Sequence, residues 1–126
     1  MDFMEELVGI PYKDGGLSPE EGFDCWGLSR WCIKILAGVE LPEKPLTWRH
    51  YGCLLDKDAR IERGDLLFCV ANPPNRIHMG VAKSSSELIH ASMHADQVVC
   101  EPVSRWRHIL LNVGRVRKIT AYDFRD

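Results

Sequence analysis

The sequence lacks the features that mark several large classes of protein. It has no basic excess, because 16 Lys and Arg residues stand against 18 Asp and Glu residues, which gives a net charge of −2. A protein that binds nucleic acid through its phosphates usually carries such an excess. The uninterrupted apolar runs are only a few residues long, too short to span a bilayer. We therefore predict no nucleic-acid partner and no membrane insertion.

The cysteines also lack the spacing of a disulfide framework or a zinc site. They number five and no two of them form a Cys-x-x-Cys pair: Cys25, Cys32, Cys53, Cys69 and Cys100. Secreted disulfide proteins favour an even number, and structural zinc sites usually draw on closely spaced ligands. We therefore predict reduced thiols that mostly behave as small apolar side chains, with no metal and no cofactor.

The beginning of the sequence does not predict a secretion signal. Residues 1–8 carry three acidic side chains and no basic one, which is the wrong charge for a signal peptide. This predicts synthesis in the cytoplasm without export by that route. The length of 126 residues is that of one domain, so we predict a single domain over residues 1–126.

Two helices are predicted in the first third of the chain. Residues 1–8 favour a short helix, which Gly9 and Pro11 end, and residues 13–22 form a loop rich in turn residues. Residues 24–37 have apolar side chains at spacings of three and four, typical of a helix. Asp24 is a suitable N-cap and Gly38 a suitable C-terminal glycine.

The rest of the chain predicts a run of antiparallel strands. Residues 39–63 contain two prolines and many charges, and we interpret them as an irregular connection with at most a short helical turn. Short segments rich in Val and Ile follow, separated by turn residues, at 66–70, 77–82, 87–91, 97–101 and 112–119. Helices followed by strands predict an α+β domain with a sheet of about five strands.

Cys25 is the candidate nucleophile. It follows the N-cap Asp24, so its thiol lies among unpaired backbone N–H groups at the positive end of the helix dipole. Both effects favour the thiolate, which is the reactive form. Gly22 and Gly27 lie on either side and would leave space for a substrate backbone. In isolation such a cysteine is more often a packing residue than a catalytic one.

His78 and His90 are the candidate partners of the thiol. A three-residue turn at 83–85 would place them directly opposite each other on one face, which Gly80 leaves uncrowded. One imidazole could then act on the thiol while the other holds its tautomer and ring plane. A two- or four-residue turn would place them on opposite faces, and the serine-rich turn does not decide between these registers.

Two aromatic residues near Cys25 have open roles. The Tyr12 hydroxyl could reach a developing oxyanion or a substrate group, or its ring could pack on the central helix. Trp26 could line a cleft, although core packing is the simpler interpretation.

Together these residues resemble a known family. The chain contains, in order, Gly-Ile-Pro-Tyr at 9–12, Gly-Phe-Asp-Cys-Trp-Gly-Leu at 22–28, Gly-Asp-Leu at 64–66, His-Met-Gly-Val at 78–81 and His-Ala at 90–91. This series resembles the NlpC family of papain-like cell-wall endopeptidases over about residues 6–118. The resemblance implies a papain-like core, in which the helix that carries the nucleophile packs on the sheet that carries the histidines.

The resemblance also implies an activity and roles for single residues. It implies cleavage of peptidoglycan stem peptides, usually between γ-D-glutamate and the diamino acid. Cys25 corresponds to the nucleophile, His78 to the base and His90 to the third, orienting member. Tyr12 corresponds to a residue of the active-site wall or oxyanion site, and Asp24 to a position that contacts substrate in some members.

One departure from the family pattern points to a biological setting. The residue after the nucleophile is commonly small, but here it is Trp26. The tryptophan and the short chain without a wall-binding domain resemble members encoded by tailed phages and prophages. This implies tail-tip proteins as partners and a virion tail as a second location.

Two other functions remain compatible with these residues. One is a phage tail structural or assembly protein with a vestigial triad. The other is an amidase or acyltransferase that uses the same Cys–His–His site.

Overall fold

The computed structural model describes residues 2–43, 52–71 and 76–116. Its elements follow one another as α1 (Phe3–Leu7), β1 (Leu17–Ser18), β2 (Gly22–Phe23), α2 (Cys25–Ala37), β3 (Gly52–Asp56), β4 (Leu66–Ala71), β5 (Arg76–Ala82), β6 (Glu87–Ser92), β7 (Gln97–Pro102), a 3-10 turn (Val103–Arg105) and β8 (Leu110–Val116). The predicted α+β class is confirmed. The extent of the domain, 1–126, stays a prediction.

The predicted central helix is confirmed at both ends. Asp24 is the N-cap of α2, where Oδ1 accepts a hydrogen bond from the Gly27 N–H at 2.7 Å. Gly38 ends the helix with a φ of +68°, a conformation that glycine adopts without steric cost. Leu28, Cys32 and Ile33 are fully buried along one side. The local sequence signals therefore define this element completely.

The main sheet has six antiparallel strands in the order β3-β8-β4-β5-β6-β7. The prediction of about five strands missed β3, which lies in the segment that we interpreted as an irregular connection. Within the described residues it is an edge strand that pairs only with β8, and most of its side chains are exposed. A strand that buries so little needs no alternation of apolar and polar residues, and its sequence therefore carries no strong strand signal. Part of that connection, residues 44–51, and the end of the predicted last strand, residues 117–119, lie outside the described residues.

The predicted loop at 13–22 also contains a small piece of sheet. Strands β1 and β2 pair over two residues each, Leu17 with Phe23 and Ser18 with Gly22. Glycines at the turn positions hid this pairing, because they weaken the strand signal. The ladder precedes the nucleophile directly and fixes the entry of the chain into α2.

Two clusters of buried side chains cover the two faces of the sheet. Helix α2 packs against β5 and β6 through Met79, Val81, Ile89 and Ala91. On the opposite face a second cluster includes Leu67, Ala82, Leu88, Trp106 and Val113. Because side chains alternate along β5 and β6, His78 and His90 lie on the same face of the sheet as the second cluster. No helix in the described ranges is both long and apolar enough to cross a bilayer.

Candidate active site

The start of α2 is held by a network of short-range and long-range backbone contacts. Asp24 uses both carboxylate oxygens, since Oδ2 accepts from the Gly15 N–H at 3.0 Å while Oδ1 caps the helix. The Tyr12 backbone forms a bridge with Phe23, and its N–H donates to the Asp96 carbonyl at 3.0 Å. Because Asp96 lies in the turn between β6 and β7, these bonds tie the nucleophile loop to the sheet.

The glycines beside Cys25 serve this packing. A Cβ at Gly27 would collide with the Gly16 carbonyl, and a Cβ at Gly22 would lie 2.6 Å from the Pro11 carbonyl oxygen. Gly22 also has a φ of +102°, which side chains rarely adopt. The prediction that these glycines leave room for a substrate backbone is therefore wrong. They let the loop approach the helix closely enough to hold Asp24.

Cys25 lies half-buried at the first position of α2, against the backbone of β5. The backbone N–H groups of Met79, Trp26 and Cys25 itself favour the thiolate and lower the thiol pKa. Burial has the larger effect and, with the negative charge of Asp24, raises the pKa of Cys25 above its usual value of 9.0. The backbone effect predicted for the helix start is therefore present, but burial outweighs it and the net shift of the Cys25 pKa is upward. The free site holds a neutral thiol.

The two histidines are in contact, as the strand pattern predicted, but in a different register. The pairs Val81–Ile89 and Ala82–Leu88 shift the hairpin by two residues from the predicted arrangement, and its turn is centred on Ser85. Continued by one pair, this register places His90 opposite Gly80 and diagonal to His78. Both rings keep the same face because a shift of two preserves the parity. His78 Nε2 lies 2.9 Å from His90 Nδ1.

His78 is a neutral imidazole in this environment. Burial, together with the neighbouring His90, lowers its pKa to about 4, and the negative charge of Glu101 only partly opposes this effect. Its Nε2 faces His90, and Nδ1 has no hydrogen bond to the described residues. A neutral ring of this kind can accept a proton at the nitrogen that remains available.

The structure adds two residues that sequence reasoning missed. Glu101 Oε2 lies 2.6 Å from His90 Nε2 and accepts a hydrogen bond from Trp106 Nε1 at 3.0 Å. The Trp106 ring also packs over both histidines, with its centroid 5.7 Å from that of His78 and 4.9 Å from that of His90. A Cβ at Gly80 would lie 3.2 Å from this ring. The glycine after His78 and Met79 thus makes room for Trp106.

A signal for Glu101 was present in the sequence. Residues 87–91 and 97–101 are both predicted strands, and the observed pairing of His90 with Val99 puts Glu101 diagonal to His90 on the same face. The register of that hairpin was needed to see it. Trp106 had no such signal, because it follows a 3-10 turn beyond the strand.

The remaining predicted residues lie around the nucleophile. Tyr12 is partly buried beside the main core, and its backbone bridge joins it to Phe23, the residue before Asp24. Trp26 is buried, and its indole N–H lies 3.0 Å from the carbonyl oxygens of both Pro42 and Glu43. Trp26 therefore anchors the segment that follows α2. Roles for Tyr12 and Asp24 in substrate contact stay predictions.

The arrangement is suited to acyl chemistry at a thiol. Cys25 lies against the backbone of Met79, the residue after His78. His78, His90 and Glu101 form a chain of hydrogen bonds. Burial raises the pKa of Cys69, the cross-strand partner of His78, and a negative charge on the nearby Cys25 would raise it further. Within the described ranges, no three His, Cys, Asp or Glu side chains are grouped to hold a metal ion.

Comparison with known proteins agrees with this architecture. The chain is 28% identical over 126 residues to the bifunctional muramidase/DL-endopeptidase CwlT of Bacillus subtilis, which covers 93% of the chain and 38% of that protein. It is 32% identical over 87 residues to the probable endopeptidase NlpC homolog of Haemophilus influenzae, which covers 69% of the chain and 44% of that protein. The chain thus spans less than half the length of these curated relatives.

A solved structure shows the same fold. The P60 domain of an antigen from M. avium subspecies paratuberculosis superposes with a TM-score of 0.68 at 26% identity, covering 92% of this chain and 90% of that one. The predicted papain-like α+β fold is confirmed by this likeness. The sequence profile of the NlpC/P60 family matches residues 9–115, so the match includes Cys25, His78, His90 and Glu101. The chain belongs to the NlpC/P60 family.

Proposed function

We propose that this protein is a cysteine endopeptidase that cleaves peptidoglycan stem peptides. The observation that carries the proposal is the hydrogen-bonded pair His78–His90 on the sheet, with Cys25 at the helix start packed against the next residue of the same strand. A thiol nucleophile, a base and a group that orients the base are what amide cleavage through a thioester requires.

The roles of the residues follow from the protonation states of the free site. Cys25 is a neutral thiol and His78 a neutral imidazole, so His78 takes the thiol proton as Cys25 attacks the carbonyl carbon. The backbone N–H of Cys25, at the first position of α2, donates to the developing oxyanion. The imidazolium of His78 then protonates the leaving amine. Water, deprotonated by the same ring, releases the acyl group from sulfur.

The proposed bond is that between γ-D-glutamate and the diamino acid. Two observations support it: the resemblance of the Cys25, His78 and His90 motifs to the NlpC pattern, and the name of the Bacillus subtilis relative, which includes a DL-endopeptidase. Tyr12 is the proposed contributor to the active-site wall or oxyanion site, and Asp24, directly before the nucleophile, is the proposed substrate contact.

Digestion of defined muropeptides by purified wild-type protein and by Cys25→Ala tests this function. Mass spectrometry should show a new free amine on the diamino acid with wild type alone. Cys32→Ala, seven residues further along the same helix, serves as the control and should retain activity. Equal cleavage by Cys25→Ala would overturn the assignment of the nucleophile. Products from another amide, or transfer to an added amine, would favour the amidase or acyltransferase alternative.

We further propose a phage or prophage tail as the setting, with synthesis in the cytoplasm. Its support is the resemblance of Trp26, directly after the nucleophile, to tail-associated members of the family. Proteomic analysis of purified phage particles from the source strain should detect the tryptic peptide of residues 14–30. Particles that contain other tail proteins but not this peptide would contradict the setting and leave the enzymatic proposal intact.

A further inference from the structure

Glu101 and Trp106 extend the hydrogen-bonded chain of the histidine pair beyond the three residues Cys25, His78 and His90. Glu101 has a side chain 27% exposed, on β7, and both of its short contacts on Oε2 come from ring nitrogens. The Trp106 indole nitrogen can only donate a hydrogen bond, so Oε2 is an acceptor in that contact. The other partner of the same oxygen is Nε2 of His90.

The direction of the second bond follows from the charge of the carboxylate. Hydrogen bonds from Trp106 and His90, with the nearby Arg105 guanidinium, hold the pKa of Glu101 below its usual value despite its burial. An ionised carboxylate only accepts hydrogen bonds. His90 Nε2 therefore carries a hydrogen, and the 2.6 Å separation is that of a charge-assisted bond.

The hydrogen on Nε2 determines the tautomer of His90. Burial lowers the pKa of His90, against the opposing effect of Glu101, so the ring is neutral at pH 7. A neutral imidazole carries one hydrogen, so Nδ1 of His90 is bare and accepts. The contact of 2.9 Å between this atom and His78 Nε2 then needs a hydrogen on His78 Nε2.

His78 has a defined tautomer as well. Its pKa of about 4 makes the ring neutral at pH 7, and its one hydrogen is on Nε2. Nδ1 of His78 is therefore bare. With the opposite tautomer of His90, the hydrogen between the rings would come from His90, and His78 would carry its own hydrogen on Nδ1. Such a ring could not take a proton from the Cys25 thiol.

We infer that Glu101 is a positioning residue that fixes the tautomers of both histidines and thereby keeps His78 Nδ1 available as the base. Trp106 holds the carboxylate in place and shields both rings. The inference rests on the proposed function for its consequence in catalysis, but the tautomers themselves are a property of the free protein. No proton leaves the chain of rings, because His78 gains a hydrogen on Nδ1 and keeps the one on Nε2.

Several other ionisable groups surround this chain. Arg105, the last residue of the 3-10 turn, has Nη1 3.8 Å from Glu101 Oε1, while β4 contributes Cys69 and α2 contributes Cys25. Burial raises the pKa of Cys69 to about 12, so it stays neutral across the working range. Arg105 is a permanent charge. Of the remaining groups that the structure describes around the chain, Glu101, His78 and His90 have pKa values below their usual ones, and Cys25 has a pKa above its usual one, so all four keep their charge state at pH 7.

The direct test is ¹⁵N nuclear magnetic resonance of histidine-labelled wild-type protein at pH 7, without substrate. Signals are assigned by their loss in His78→Gln and His90→Gln. A protonated and a bare ring nitrogen have well-separated shifts, so the tautomer is read for each ring. We expect a hydrogen on Nε2 and a bare Nδ1 in both. A hydrogen on Nδ1 of either ring would overturn the inference.

Two substitutions of Glu101 connect the tautomers to catalysis. In Glu101→Gln, the amide oxygen can still accept both hydrogen bonds, so the Nε2–H tautomers and most of the activity should remain. Glu101→Leu cannot accept a bond, so both tautomers of His90 should become populated and kcat should fall about tenfold or more, with KM little changed. Wild-type kcat in Glu101→Leu, with unchanged tautomers, would overturn the inference.

Controls separate this inference from misfolding and from the proposed function. Glu87→Gln, on the neighbouring strand and about half exposed, should leave kcat and both tautomers unchanged. If Glu101→Leu does not fold, the wild-type spectrum and Glu101→Gln still decide the question. Expected tautomers with no cleavage of muropeptides would contradict only the proposed function. Cleavage with reversed tautomers would contradict only this inference.

Discussion

The two halves of the candidate site are built in different ways. The helix half, Asp24 and Cys25, is held by contacts mostly within a dozen residues, namely the cap to Gly27 and the bond from Gly15. The sheet half, from His78 through His90 to Glu101, exists only because three strands pair in a particular register. Local capping therefore places the nucleophile, whereas long-range pairing places the base and its supports.

Substitution of the thiol should separate chemistry from stability most strongly. Cys25→Ala should lower kcat/KM by about a thousandfold or more while the melting temperature hardly changes, because the thiol is only half-buried. Cys32→Ala, fully buried on the same helix, should have the reverse effect, with activity retained and about 1 kcal/mol of stability lost. Muropeptide kinetics and thermal unfolding of the two variants measure this. Similar activity losses in both would mean that Cys25 acts through packing.

The sheet half should make stability depend on pH. The folded pKa of His78 is about 4, below the ordinary value of 6.5, so between these values the unfolded chain binds the additional proton. The contribution of neutral His78 to the free energy of unfolding should therefore be complete above about pH 6.5. It should fall by about 3 kcal/mol as the pH drops to 4. Denaturant titrations of wild type and His78→Gln across pH 4–7 measure this contribution. An equal slope in both proteins would contradict the assigned pKa.

The helix half should be sensitive to a single added methyl group. Gly27→Ala places a Cβ against the Gly16 carbonyl, so we expect a loss of about 1–3 kcal/mol from the strained contact. The helix propensity of alanine alone would raise stability by about 1 kcal/mol. The sign of the change in unfolding free energy thus decides between close packing and propensity. A stabilised variant with full activity would show that the loop is not held tightly.

The smallest effect is expected at Trp26, the residue directly after the helix half. Trp26→Phe removes the indole N–H shared by the carbonyls of Pro42 and Glu43, and should cost about 1 kcal/mol. Hydrogen exchange should accelerate at residues 39–43. Trp31→Phe is the matched control, since the Trp31 indole N–H has no hydrogen bond to the residues that the structure describes. Unchanged exchange in Trp26→Phe would remove the proposed anchoring role.

The same division explains what could be predicted from the sequence. Helix α2, its caps and Cys25 at its first position were predicted because propensity and capping act over a few residues. The contact between His78 and His90 was predicted from strand parity, but their pairing was offset by two residues, because the serine-rich turn does not determine its own register. Glu101 and Trp106 were missed, since both depend on where β7 lies beside β6. The net rise in the Cys25 pKa was missed because burial is a property of the folded chain.

Trapping of the acyl-enzyme tests most directly whether the two halves form one catalytic site. Wild-type protein, quenched in acid during turnover of a stem peptide and digested with trypsin, should carry the glutamyl acyl group on the peptide of residues 14–30. Cys25 is the only cysteine in that peptide. His78→Gln should show little or no adduct, because the thiol then lacks its base. Turnover by wild type without an adduct on this peptide, or an undiminished adduct in His78→Gln, would contradict the account.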